Sequence, residues 1–240
     1  MTPRDYAELA EAHPELPEGP EERVSGYGLM GIPFSSGHVL GLRRWTASSV
    51  GEPFTSIWHR DPAGRWVFYE SARCDVACSR WFGGGVEESR RAEISLTWEA
   101  ANRLRVQTSD QTIDWSMTLA PSPVTRMMNG LGAMLPDAGW KSRRVLSLMG
   151  GVATATLGAG RIGLAGTSSS GFPFLANPWH IWRVVDSSAT VAGESVGAPS
   201  PLAEQTRLGD FWIPQRGIFA MGRVYMGPAI RTGNAAADMK

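Results

Sequence analysis

Of the 23 Lys and Arg in this 240-residue chain, only Lys141 and Lys240 are Lys. That reads first as coding bias and second as a supply of Arg-specific contacts. No charge of either sign is in excess, since Asp and Glu also total 23. The balance excludes a basic face for nucleic acid and an acidic tail. Cysteine is nearly absent: Cys74 and Cys78 stand alone. On a strand that spacing puts them roughly 13 Å apart, too far for a disulfide. Two Cys and four scattered His give no zinc set, so no metal and no cofactor are expected. The thiols read as buried and reduced, which suits a cytoplasmic protein. No run of 18 apolar residues exists to span a membrane as a helix. The polar, acidic N-terminus is no signal peptide. Elbow, H-E-x-x-H and P-loop motifs are missing. Gly158-Ala-Gly-Arg-Ile-Gly163 fits the dinucleotide fingerprint in letters only, because a helical run precedes it and a hairpin follows. It reads as a helix C-cap leading into a strand.

Aromatic mass is what the chain does have, including ten Trp. The stretch Phe54–Glu70 predicts a β-hairpin turning at Asp61-Pro62-Ala63-Gly64. Its register sets Arg60 against Trp66, Trp58 against Phe68, Ser56 against Glu70, His59 against Val67 and Ile57 against Tyr69. One face then carries Phe54, Trp58, Arg60, Trp66 and Phe68. The other carries Ile57, His59, Val67 and Tyr69. Both faces are apolar, so something must cover each.

In chain order, residues 1–23 predict a short helix and an extended Pro-rich arm. Residues 24–228 predict the body of the fold, and 229–240 a flexible tail. Gly26–Phe34 reads as a crossing at a barrel end, and Val39–Trp45 as a strand. Arg73–Phe82 also reads as a strand. Ala92–Glu99 and Leu104–Thr108 form a hairpin, and Thr112–Ala120 alternates apolar and polar residues. Residues 123–157 change to helical spacing and predict an inserted, Met-rich helical hairpin, which reads as a cap on one end or face of the barrel, with a mobile lid over an apolar cavity or a membrane-surface patch as the alternatives. Strands resume at Arg161–Gly166, Phe172–Ala176, His180–Asp186 and Ala189–Val191. Leu208–Met226 reads as a closing strand pair. With no βαβ rhythm, the fold class is mostly β: a single antiparallel β-barrel of ten to twelve strands with a helical insertion.

The candidate proton-transfer groups are Asp114, His180 and His59. Asp114 lies on the polar face of its strand, which is either solvent or a wet lumen. His59 and His180 lie inside strands, where a structural role competes with a catalytic one. The candidate ligand-binding residues are Trp58, Arg60, Trp66, Phe68, Trp115, Trp182, Arg183 and Trp212. Arg60 either stacks on Trp66 or offers its fork to an anionic oxygen.

In the blocks Phe54–Tyr69 and Leu208–Gly217 the chain resembles the lipocalin-like (calycin) β-barrel proteins of actinobacteria, of the carotenoid hydratase-like type. The resemblance lies in the grammar of Trp-rich strands and carries no catalytic position across. It implies an apolar small-molecule ligand, and the Trp, Phe and Met supply in a closed sheet points to one of lipid, terpenoid or polyketide type. If turnover occurs, the expected chemistry is the acid/base work of a cofactor-free lyase or isomerase: hydration, dehydration, isomerisation or cyclisation. The competing reading is a non-catalytic protein whose Trp/Met-rich surface makes a homodimer or holds a partner.

Overall fold

The structure, a computed structural model, describes residues 1–229, with 137 and 138 by backbone alone. Helix α1 (Pro3–Ala12) is followed by β1 (Glu22–Leu29), β2 (Ile32–Pro33) and β3 (Val39–Ser48). Strands β4 (Phe54–Arg60) and β5 (Trp66–Glu70) come next, then α2 (Cys78–Phe82) after a 3-10 turn. Strands β6 (Glu88–Arg91), β7 (Ile94–Ala100), β8 (Arg103–Thr108) and β9 (Ile113–Ala120) follow. Three helices then interrupt the strands: α3 (Pro123–Ala133), α4 (Asp137–Trp140) and α5 (Arg143–Leu157). The last strands are β10 (Ala165–Thr167), β11 (Pro173–Val191), β12 (Glu194–Ser195), β13 (Arg207–Leu208), β14 (Phe211–Trp212) and β15 (Ile218–Met226). The tail expected from 229 falls, from residue 230 on, outside the described residues.

The β4–β5 hairpin has the register its turn predicts, from Arg60 opposite Trp66 to Ser56 opposite Glu70. Gly64 takes the left-handed conformation (φ 95°), and the Asp61 carboxylate accepts from the Arg65 amide at 2.9 Å. Strands run in the order β6-β5-β4-β3-β1-β15-β11-β9-β8-β7 in one thirteen-stranded sheet. Tyr69 of β5 and Leu104 and Val106 of β8 lie near opposite ends of that order yet share one apolar cluster. The sheet is therefore curled around that cluster. Trp115, Trp182, Phe219 and Ile57 fill it, and Ala7 of α1 packs into it.

The expected closed antiparallel barrel is corrected to a curled, mixed sheet that does not close. The chain from Glu88 to Ala100 is the reason. Its β6 half pairs with β5 in parallel, while its β7 half pairs with β8. The handover falls at Ala92, which donates to Glu70 O, and Glu93, which accepts from the Ser109 amide. Among the described residues, strands β6 and β7 thus each have one neighbour, and no ladder joins the two ends.

Four local readings change as well. Arg73–Phe82 is helical because the Glu70 carboxylate meets the first amides of α2 (Ser79 N donates at 3.0 Å). Cys78 is accordingly buried and Cys74 exposed, rather than both lying buried on a strand. Gly26–Leu29 is not a crossing but part of the central strand β1, where Gly26 and Gly28 let β3 approach. The segments from 173 to 191 form one long strand, interrupted by two register shifts. The 208–226 pair does not form, since β15 lies between β1 and β11. Gly158 caps α5 in the left-handed conformation (φ 60°), as the C-cap reading of the glycine motif requires.

A Cβ at Gly28 would sit 2.1 Å from the Leu42 carbonyl oxygen, a backbone atom that cannot yield. The expected outcome for Gly28→Ala is a loss of more than about 2 kcal/mol in denaturant unfolding, with β1 and β3 forced apart.

Candidate functional site

The outer face of the sheet is where the fold leaves room. Two apolar layers cover it. Helix α2 and the β13–β14 segment pack over Trp58, Trp66 and Phe68 of the hairpin. Helices α3 and α5 pack over Ile181, Ile218 and Ala220. Between these covers lie two adjoining cavities of about 80 and 50 Å³. The larger is lined by Met128, Met149, Ala153 and Leu157 from the helices, by Ile181 and Ala220 from the sheet, and by Trp212. The smaller is lined by Trp58, Cys78, Trp81, Phe82 and Phe174. Met30, Arg43, Trp45 and Phe211 border both.

Arg43 is the exceptional member of that lining. It is buried, and no carboxylate pairs with it among the described residues. Its Nη1 donates to Leu29 O and to Leu42 O at 2.8 Å, and Nη2 donates to Met30 O at 3.0 Å. The guanidinium lies 4.4 Å from the Trp58 ring centroid and 5.3 Å from that of Phe211. Burial pulls its pKa down to about 10. A buried cation without a counter-ion costs several kcal/mol. Carbonyl dipoles and the Trp58 ring offset part of that. The remainder of that cost is met by no carboxylate among the described residues.

The sheet register places two more polar groups on the same row. Arg43 of β3 faces Ser56 of β4, and Ser56 faces Glu70 of β5. Glu70 is fully buried; its Oε1 accepts from Ser79 N and, at 3.3 Å, from Ser56 Oγ, while Oε2 has no hydrogen-bond partner. Burial raises its pKa to about 6. Cys78 lies near both ends of the row, and burial and the Glu70 charge push its thiol up to about 12. That thiol is a packing group rather than a nucleophile. The indole nitrogens of Trp45 and Trp58 are buried without hydrogen-bond partners.

The structure scatters the residues singled out by sequence. Trp58 and Trp212 line the cavities, and Trp66 and Phe68 pack in the same outer cluster as Trp58. Arg161 and Arg207 lie 4.8 and 5.1 Å from the Trp212 ring. Trp115 and Trp182 lie inside the curl, where Trp115 donates to Ser187 Oγ at 2.9 Å. His180 packs with tilted rings against Trp182 and Tyr6, with its pKa lowered by burial. Arg60 is at the hairpin turn, Arg183 is half-buried on β11, and neither lines the cavities. Asp114 makes a two-pronged ion pair with Arg105 at 2.9 and 2.6 Å on the polar face of β9, and that pairing lowers its pKa. His59 is buried against His38, with 2.8 Å between Nε2 and His38 Nδ1. The three expected proton-transfer groups are therefore not brought together. Sequence reasoning missed Arg43 and Glu70. The one available signal was the pairing of Ser56 with Glu70 on the Trp58 face. Arg43 joins only through the β3–β4 register.

His59 makes stability depend on pH. Burial, then the neighbouring His38, pulls its pKa to about 4 from 6.5. The folded state thus disfavours the charged ring, so its contribution is full above pH 6.5 and is lost as the pH falls toward 4. The loss is on the order of 3 kcal/mol. Glu70 acts oppositely, since its raised pKa favours the fold as the pH falls from 6 toward 4.5. The melting temperature is expected to fall on acidification, and His59→Gln to flatten that fall. Parallel curves for variant and wild type would contradict the assignment.

No family model matches the chain, and no curated protein matches it. Among solved structures, acetoacetate decarboxylase from Legionella pneumophila subsp. pneumophila str. Philadelphia 1 is similar in fold at a TM-score of 0.44 and 9% identity, covering 89% of this chain and 87% of that one. A likeness of that degree fixes no activity.

Proposed function

We propose that this protein binds an apolar small molecule carrying one anionic oxygen group, a carboxylate or an enolate. The observation that carries the reading is Arg43: a buried guanidinium with no carboxylate partner among the described residues, at the junction of two apolar cavities. The apolar body would lie among Met128, Met149, Leu157 and Trp212 in the larger cavity. Trp58 would hold the guanidinium plane while its second donor edge meets the ligand.

A second reading, cofactor-free acid/base turnover, is favoured by one feature. Glu70 lies one strand beyond Ser56 from Arg43, with a pKa raised to about 6 and a free oxygen. A carboxyl poised near neutrality suits proton transfer. Lys141, the lysine among the described residues, is exposed and donates to Glu18 O, so it offers no buried amine for imine chemistry. Under either reading Asp114, paired with Arg105, and His180, packed against Tyr6, act through structure, and Asp114→Asn leaves ligand affinity unchanged.

Calorimetry with octanoate and methyl octanoate tests the anchor. A charge-assisted contact is worth about 1.5–3 kcal/mol, so wild type should prefer the acid over the ester by roughly 10- to 100-fold. Arg43→Met should erase that preference. Equal affinity for acid and ester in wild type would overturn the proposal whether or not the variant folds.

The cavities are narrow, so exchange requires α3 and α5 to lift. Gly130 and Gly151 sit exposed in those helices, and a Cβ at either would meet nothing within 4 Å. Each glycine weakens its helix by about 0.5–1 kcal/mol relative to Ala. Gly130→Ala with Gly151→Ala is expected to raise the melting temperature and slow ligand release in stopped-flow displacement. Faster release would contradict the lifting of these helices.

A further inference from the structure

The outer side of the α3–α5 layer is left bare. Met127, Leu131 and Met134 project from one face of α3, 47%, 48% and 77% exposed. Leu148 and Val152 do the same from α5, with Leu148 70% exposed. Elsewhere among the described residues, large exposed apolar side chains are scattered: Met1, Leu9 and Val185. The helices of the bare face carry mostly positive charge in sequence. Between Pro123 and Leu157 the sequence has Arg126, Lys141, Arg143 and Arg144 against the single carboxylate Asp137, in a chain whose charges balance overall. Arg126, Arg143 and Arg144 are exposed and make no ion pair among the described residues.

We infer that this layer docks on an anionic lipid bilayer and that the cavity beneath it takes its ligand from there. An exposed apolar stripe flanked by Arg is the composition of a helix lying in the bilayer interface. Anionic headgroups attract each nearby cation, and Met and Leu side chains bury among the acyl chains. Helices of 11 and 15 residues are too short to cross a bilayer but long enough to lie on one. A second copy of the chain fits worse. An isologous contact would bring two copies of the same basic patch, with Arg126, Arg143 and Arg144 from each, into one interface. The layer's two sides also agree. The same helices that bare Met134 and Leu148 outward line the larger cavity inward with Met128, Met149 and Leu157. An apolar molecule leaving the bilayer would pass between α3 and α5 without crossing water. This route rests on the small-molecule reading above; the docking itself does not.

Vesicle co-sedimentation tests it, using phosphatidylcholine vesicles and phosphatidylcholine vesicles enriched in phosphatidylglycerol. The wild type is expected to bind the anionic vesicles, to release in high salt, and to ignore the neutral ones. Arg143→Glu with Arg144→Glu should weaken binding by roughly tenfold or more. Met134→Glu with Leu148→Glu should weaken it as well, while leaving octanoate affinity in solution unchanged. These residues are exposed, so melting curves will confirm that the variants fold. Absence of vesicle binding, equal binding to neutral vesicles, or unaltered binding by both double variants would overturn the inference. So would a wild-type dimer that Met134→Glu with Leu148→Glu makes monomeric. If octanoate fails to bind while anionic vesicles still do, the cavity reading falls and the docking surface stands.

Discussion

A sheet that is apolar on both faces has to be covered twice, and most of this molecule answers that constraint. On the inner side the sheet covers itself by curling, with α1 packed into the core. On the outer side no single element is large enough. Helix α2, the β13–β14 segment and the α3–α5 layer divide the surface among them. Where separate covers meet, packing is incomplete, and the two cavities lie at that seam. The site follows from covering a wide outer face with several small pieces.

Under the proposed function, Arg43 turns the seam from a packing defect into a site. An apolar cavity of this size can remain empty at modest cost. A buried guanidinium facing it is different, because its desolvation is offset only in part by carbonyls and aromatic faces. The neighbouring Ser56 and Glu70 extend a polar row across three strands beneath an otherwise apolar cover. Such a row is costly to bury; under the proposed function a bound ligand offsets that cost, and under the docking inference the ligand arrives through the bare outer side of the covering helices.

Much of this was legible from residue order. Asp61-Pro62-Ala63-Gly64 dictated a turn, and the turn dictated a register because side chains alternate with period two. The strand at Ile113–Ala120 showed its buried face by alternation. The change to helical spacing marked α3 and α5. The error at Arg73–Phe82 has a physical cause: two helical turns are too short to show a period, and their amides are met by Glu70 from a neighbouring element. Reading Gly26–Leu29 as a crossing failed for a related reason. Glycine usually breaks strands, but here it admits the close approach of β3.

By itself, then, the sequence determined local pairing, the two-sided burial of the hairpin, and the absence of a membrane-spanning helix or a catalytic motif. These depend on neighbours within a few residues. Only the tertiary structure decided that the sheet stays open, that one apolar cluster fills the inside of the curl, and that the two cavities beside Arg43 lie outside it. Those outcomes depend on how Glu88–Ala100 is shared between β5 and β8, far apart in the sheet. They also depend on Arg43 meeting Ser56 across a strand boundary. Register between strands is set by the whole core at once, and no window of sequence contains it.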